Sequence, residues 1–301
     1  MKKLYIVSIF VCVISYFFSC TKEDNLFPIE NEKADVELSK LYMSIDSLHA
    51  KYSDKCTSRG RTTDKWGRRI LSATVDACIS TLTAGTGPFG ALVCGTIASG
   101  LYDDYLDHCA KKMADPPRKK VNGKELYIQA VTFADMDASF IDSIGYFHNL
   151  LLDEIKSEKV SFVDSVGNIN YDACYTKVTD LARRHGVYED FEIDKLQLFG
   201  YLESVIKTLA STEEVDQDVF MSTIFNNAYI GFGFDGNRTI QLKNICEKII
   251  YNDLCLEGNT LIEYGAQVNE IIEKSNVSEN IKTELKIANN VAVNSSLYWE
   301  H

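Results

Sequence analysis

Proline is scarce, with four in 301 residues. There is also no valine-rich alternation, so a β-sandwich and a Pro-rich linker protein are both excluded. Ile, Leu and Ala recur instead at spacings of three and four, which predicts an all-α fold, a helical bundle. No G-x-S-x-G, H-E-x-x-H, P-loop or EF-hand loop occurs, which removes the commonest signatures for a serine hydrolase, a zincin, a nucleotide site or a calcium site. No C-x-x-C pair occurs, which removes a zinc ribbon and a thioredoxin-like centre. Basic residues are outnumbered, 31 Lys and Arg against 43 Asp and Glu, so nucleic acid is not an expected partner. No cofactor or metal is expected. The chain is not disordered, because 46% of it is hydrophobic and can form a core.

Charge is spread unevenly. Residues 51–124 hold thirteen Lys and Arg against seven Asp and Glu; residues 125–301 hold thirteen against twenty-nine. Such an asymmetry either docks one half on the other, turns the basic part to an anionic surface, or reflects solvated helix faces of opposite average sign.

The amino end carries the most specific signal. Lys2 and Lys3 precede an apolar run from Leu4 to Phe18, followed by Ser19 and Cys20. Two lysines favour retention on the cytoplasmic side, and the run suits the core of a signal peptide better than a span. The competing reading is an uncleaved transmembrane helix. Phe17-Phe18-Ser19-Cys20 resembles the lipobox of bacterial lipoproteins, although Phe18 departs from its usual small or Leu residue. The resemblance implies diacylation of the Cys20 thiol, cleavage ahead of it, and a durable two- or three-chain membrane anchor. Lys22-Glu23-Asp24 then resembles the surface-export signal of Bacteroidetes-type lipoproteins, which implies an outer membrane protein facing the cell exterior; an ordinary solvated tether is the alternative. Asp142 to Asn149 and Ser296 to Trp299 are similar to stretches of uncharacterised Bacteroidetes lipoproteins, which implies a helical exported protein and no activity. The expected division is a signal peptide over 1–19, a tether over 20–32, a helical module over 33–124 and an acidic all-α domain over 125–301.

Export places the cysteines where disulfides persist. Beyond Cys12 and Cys20, seven remain, so at least one stays a thiol or pairs between chains. Residues 77–102 contain no charged side chain. Gly85, Gly87 and Pro88 interrupt them, predicting an antiparallel hairpin over 64–113 with helices Asp64–Leu82 and Pro88–Met113. Gly87, Ala91, Gly95 and Ser99 fall four apart, as do Ala73, Ala77 and Thr81, so two backbones are expected to approach closely. A turn near 85–87 sets Cys78 level with Cys94, making these the first disulfide candidates, with Cys56–Cys109 second. The hairpin reads as buried core; the alternative is a membrane-active, bacteriocin-like element over 77–102, although each arm is short for a bilayer.

The other helices are expected over Glu32–Tyr52, Ser139–Glu158, Tyr171–His185, Asp194–Ala210, from a Ser211–Glu214 capping box to Tyr229, and over Arg238–Cys255, Asn259–Ser275 and Ser278–Trp299. Pro116, Pro117 and Asn122-Gly123 mark a module boundary with a possible short strand pair near 118–133. Of the candidate chemistry, His148 lies on an apolar helix face beside Asn149 and Asp153. It reads either as a general base or as a hydrogen-bonded core histidine, the second being expected. Asp104 and His108 have metal-ligand spacing but no third partner. Cys174 with His185 as its base is disfavoured by helical separation, His185 being expected to cap its own helix instead. Phe232 and Phe234 read as loop anchors rather than as a ring platform for a sugar or peptide. The expected function is a lipid-anchored envelope protein with a non-enzymatic binding or structural role, its partner an unknown protein or glycan. The bacteriocin-like role is the alternative, and a hydrolase-type enzyme a second one.

Overall fold

Apolar residues three and four apart make one-sided helices, and packing those stripes together fixes the architecture. The computed structural model describes residues 28–55, 66–112, 140–210, 244–250 and 256–298. They form nine helices: α1 (Pro28–Tyr52), α2 (Trp66–Thr83), α3 (Pro88–Lys112), α4 (Phe140–Ser157), α5 (Tyr171–Arg184), α6 (Lys195–Ala210), α7 (244–250), α8 (Gly258–Lys274) and α9 (Glu279–Tyr298). The only β pairing among the described residues is one antiparallel bridge, Val163 with Ile169. The all-α expectation therefore holds. The capping-box helix, the strand pair near 118–133, the Phe232/Phe234 loop and the segment Met1–Phe27 lie outside the described residues.

Four helices form a closed square. Hairpin arms α2 and α3 pack on each other, α3 on α4, α4 on α9, and α9 back on α2. Helices α2 and α4 are thus diagonal. Around the square, α5 and α6 lie on α3, while α8 lies on α9 and carries α1. A single hydrophobic cluster runs through all of them, including residues on both sides of position 124, so the basic and acidic parts share one core.

The hairpin matches its predicted limits to within two residues at each end. Gly87 corrects the packing argument. A Cβ there would touch nothing, but φ is +92°, a conformation few other residues adopt, so this glycine serves the turn. Its carbonyl accepts from Ala91 at 3.0 Å and begins α3. Gly95 acts as expected: a Cβ would lie 2.1 Å from Ser80 Oγ and 3.6 Å from the Asp76 carbonyl oxygen, so α3 and α2 approach closely here. Ala91 and Ser99 are buried as well.

No disulfide joins Cys78 to Cys94: both are buried thiols. The two thiols have different neighbours. Cys94 turns toward Thr83, whereas Cys78 turns toward Cys246 on α7. Equal depth is not enough to bridge two cysteines when their Cβ vectors diverge. Cys56, of the second expected pair, lies outside the described residues. The tether also ends earlier than expected, because α1 begins at Pro28, with proline at a first helical position where its missing N–H is harmless.

Candidate functional site

The four helices of the square bury polar side chains among their apolar core. Helix α9 brings in Asn289, Asn290, Asn294, Ser295 and Ser296, all buried. From α4 come His148 and Asn149, from α2 Ser72, Asp76 and Ser80, and from α3 Thr96 and Ser99. A buried polar group is tolerable only when it is hydrogen-bonded, and here side-chain amides supply most of the bonds.

A chain of asparagines ties α8, α9 and α4 together. Asn289 Nδ2 donates to the Gly265 carbonyl and to Asn269 Oδ1, both at 2.9 Å. Asn269 Nδ2 donates to Asn290 Oδ1 at 2.7 Å, and Asn290 Nδ2 donates to the Ile141 carbonyl at 2.8 Å. Asn294 Nδ2 donates to the Asn290 carbonyl at 2.8 Å, while the Asn294 carbonyl accepts from Asn149 Nδ2 at 2.9 Å. Gly145 makes this crossing possible: a Cβ there would lie 2.2 Å from the Asn290 carbonyl oxygen.

His148 is the centre of the site. Its Nδ1 is 3.2 Å from Asn149 Oδ1 and its Nε2 is 3.9 Å from Asp76 Oδ1, with both the imidazole and the carboxylate fully buried. The weak candidate group His148, Asn149 and Asp153 is therefore assembled in part. His148 and Asn149 join at the core. Asp153 is partly buried, and burial raises its carboxyl above the ordinary range against the opposing pull of Lys156. Beside it Tyr298 is pushed up, first by burial and then by Asp153, Asp103 and Asp76. Lys156 closes this outer end, 3.6 Å from Asp103 Oδ2 and 5.0 Å from the centre of the Tyr298 ring.

The other candidates have structural partners. Asp104 Oδ2 accepts from Ser161 Oγ at 2.9 Å and from the Phe162 and Val163 amides at 2.7 and 2.9 Å. This carboxylate thus ties the loop after α4 to α3, and its bonds oppose a ligand role. Among the described residues no three His, Cys, Asp or Glu side chains are placed to hold a metal. Cys174 is no nucleophile: its Sγ donates to the Asn170 carbonyl at 2.9 Å, and burial pushes the thiol up. His185 does cap α5, donating its backbone N–H to the Leu181 carbonyl at 3.1 Å. Its ring lies 2.7 Å from Glu154 Oε1 and joins α5 to α4.

Sequence reasoning missed Asp76, Gly145 and the asparagines. Asp76 stands immediately before the uncharged run and 72 positions from His148, so nothing local links the two. The asparagines did leave a trace: Asn290 and Asn294 are four apart, with Ile287, Ala288, Val291, Ala292 and Val293 around them, an amide stripe on a helix that is otherwise apolar. Chemically, this is a polar core in which the His148 and Asp76 side chains are fully buried. Comparison with protein-family models, with curated proteins and with solved structures found no match.

Proposed function

We propose that this chain is a lipid-anchored envelope protein, held at the outer membrane and facing the cell exterior, whose helical body binds a protein or glycan partner or plays a structural role. One observation carries the reading: an apolar run ends at Ser19-Cys20 only seven residues ahead of the first helix. Seven residues reach at most about 25 Å, so an acylated Cys20 would keep the body against the membrane surface. What favours binding over catalysis is the burial of His148, Asp76, Cys78, Cys94, Cys174 and Cys246, none of which offers a substrate an approach in this conformation.

The bacteriocin-like alternative has less behind it. Among the described residues, no helix is long and apolar enough to cross a membrane. The uncharged hairpin has its faces committed to α4, α5, α6 and α9.

Metabolic labelling with palmitate tests the anchor. The wild-type chain is expected to incorporate label and to partition with membranes, and the precursor is expected to accumulate under globomycin. The Cys20→Ala chain is expected to lose label and appear in the soluble fraction. A Cys20→Ala chain that still partitions with membranes overturns the proposal.

A further inference from the structure

The asparagine chain fixes which atoms in the core give hydrogens and which receive them. The Asn294 carbonyl can only accept, so the Asn149 atom 2.9 Å from it is the amide nitrogen. Asn149 Oδ1 is then the atom 3.2 Å from His148 Nδ1, which makes Nδ1 the donor. In the neutral ring this leaves Nε2 as a bare acceptor. That nitrogen is buried and has no hydrogen-bond partner among the described residues. It faces Oδ1 of Asp76, a carboxylate oxygen and so an acceptor too, 3.9 Å away on the diagonally opposite helix.

Two acceptors at 3.9 Å are too far apart for a hydrogen bond to each other. One small molecule donating two hydrogens can reach both atoms and satisfies the orphaned Nε2. Legs of about 2.8 Å from a single oxygen to two atoms at this separation enclose about 90°, near the angle between the hydrogens of water. The hydroxyls of Ser72, Ser80, Ser99, Ser295 and Ser296 are buried on three of the same four helices and have no hydrogen-bond partner among the described residues. Internal water typically makes about three hydrogen bonds to polar groups of this kind.

We propose that the space between His148 Nε2 and Asp76 Oδ1 is a binding site for one internal water molecule, a double hydrogen donor that joins α2 to α4 across the bundle and keeps His148 in its Nδ1–H tautomer. The inference is independent of the anchor and of any partner.

Nuclear magnetic resonance of the uniformly labelled full chain at neutral pH tests it. The His148 ring is assigned by the loss of its signals in His148→Gln. A protonated Nδ1, an unprotonated Nε2, and a cross-relaxation peak between a ring proton and a long-lived water are expected. A protonated Nε2 overturns the proposal, whether it belongs to the other tautomer or to the imidazolium of a direct ion pair. The absence of any water peak overturns it as well. Asp76→Asn gives a second reading, because an amide there can donate to Nε2 directly. The water peak is expected to disappear in this variant while helix content stays unchanged, and its persistence would contradict the assignment. Should Asp76→Asn fail to fold, the wild-type tautomer and water peak still decide.

Discussion

At the residue scale the thiols connect burial to pH. Burial pushes Cys94 and Cys246 up to about 12, and raises Cys78 well above its ordinary value. A thiol titrates near 8.5 in an unfolded chain. The folded value exceeds the unfolded one, so the stabilising contribution is complete below the unfolded value. It is lost as pH rises from about 9 toward 12, because the unfolded chain then releases protons that the folded chain retains. The thermal midpoint is therefore expected to fall across this range, and substituting Cys94 and Cys246 together with Ala is expected to flatten part of that slope. The same burial predicts that Cys78, Cys94 and Cys246 resist an aromatic disulfide reagent at pH 8 until denaturant is added. Mapping the labelled peptides by mass spectrometry checks it, and rapid labelling of native Cys94 would show the core to be open.

Two glycines show at the element scale how neighbours decide the sign of a substitution. Gly145 on α4 and Gly200 on α6 both occupy helix interiors, where glycine is less favourable than alanine by about 1 kcal/mol. A Cβ at Gly145 would meet the Asn290 carbonyl oxygen at 2.2 Å, and that oxygen also accepts from Asn294. Backbone cannot give way cheaply, so Gly145→Ala is expected to destabilise by about 1–3 kcal/mol. Around Gly200 nothing lies within 4 Å, and Gly200→Ala is expected to stabilise by up to about 1 kcal/mol. Urea unfolding of the two variants against wild type compares them directly. Equal shifts of one sign would mean that α4 and α9 do not cross this closely. These elements also mark what was legible in advance. Helix positions followed from the period of the apolar residues, as with Leu38, Leu41, Ile45 and Leu48 on the buried side of α1. Gly145 was not legible, since it answers to a helix 145 positions away, whereas Gly87 was legible as a turn residue and misread only as a packing one. His148 and Asn149 stood out because polar groups on an apolar face are conspicuous. Their partner Asp76 did not, because the meeting of α2 with α4 is a property of the closed square.

At the scale of the whole molecule, chain order and spatial order disagree. Helix α9 follows every other described helix in the chain, yet it fills one corner of the square between α2 and α4. Asn290 reaches back to Ile141 and the Asn294 carbonyl to Asn149, so the polar core stays incomplete until α9 arrives. By contrast α1 is peripheral. It packs on α8, with Tyr52 edge-on to Tyr264 at 5.3 Å and its hydroxyl accepting from Gln267, and Asp46 pairs with Lys248 of α7 at 2.5 Å. Removing either helix takes away about twenty residues, but the consequences should differ. A chain ending at residue 278 leaves apolar faces of α2 and α4 uncovered and the amide of Asn149 without its acceptor. Such a chain is expected to lose its cooperative thermal transition and to bind an apolar dye. A chain lacking residues 28–52 uncovers chiefly α8, and is expected to melt cooperatively at a lower midpoint. Circular dichroism melts of the two truncations separate the cases. A cooperative melt in the chain without α9 would mean that the hairpin forms a core of its own, and the closed square would then be an accessory to the fold rather than its basis.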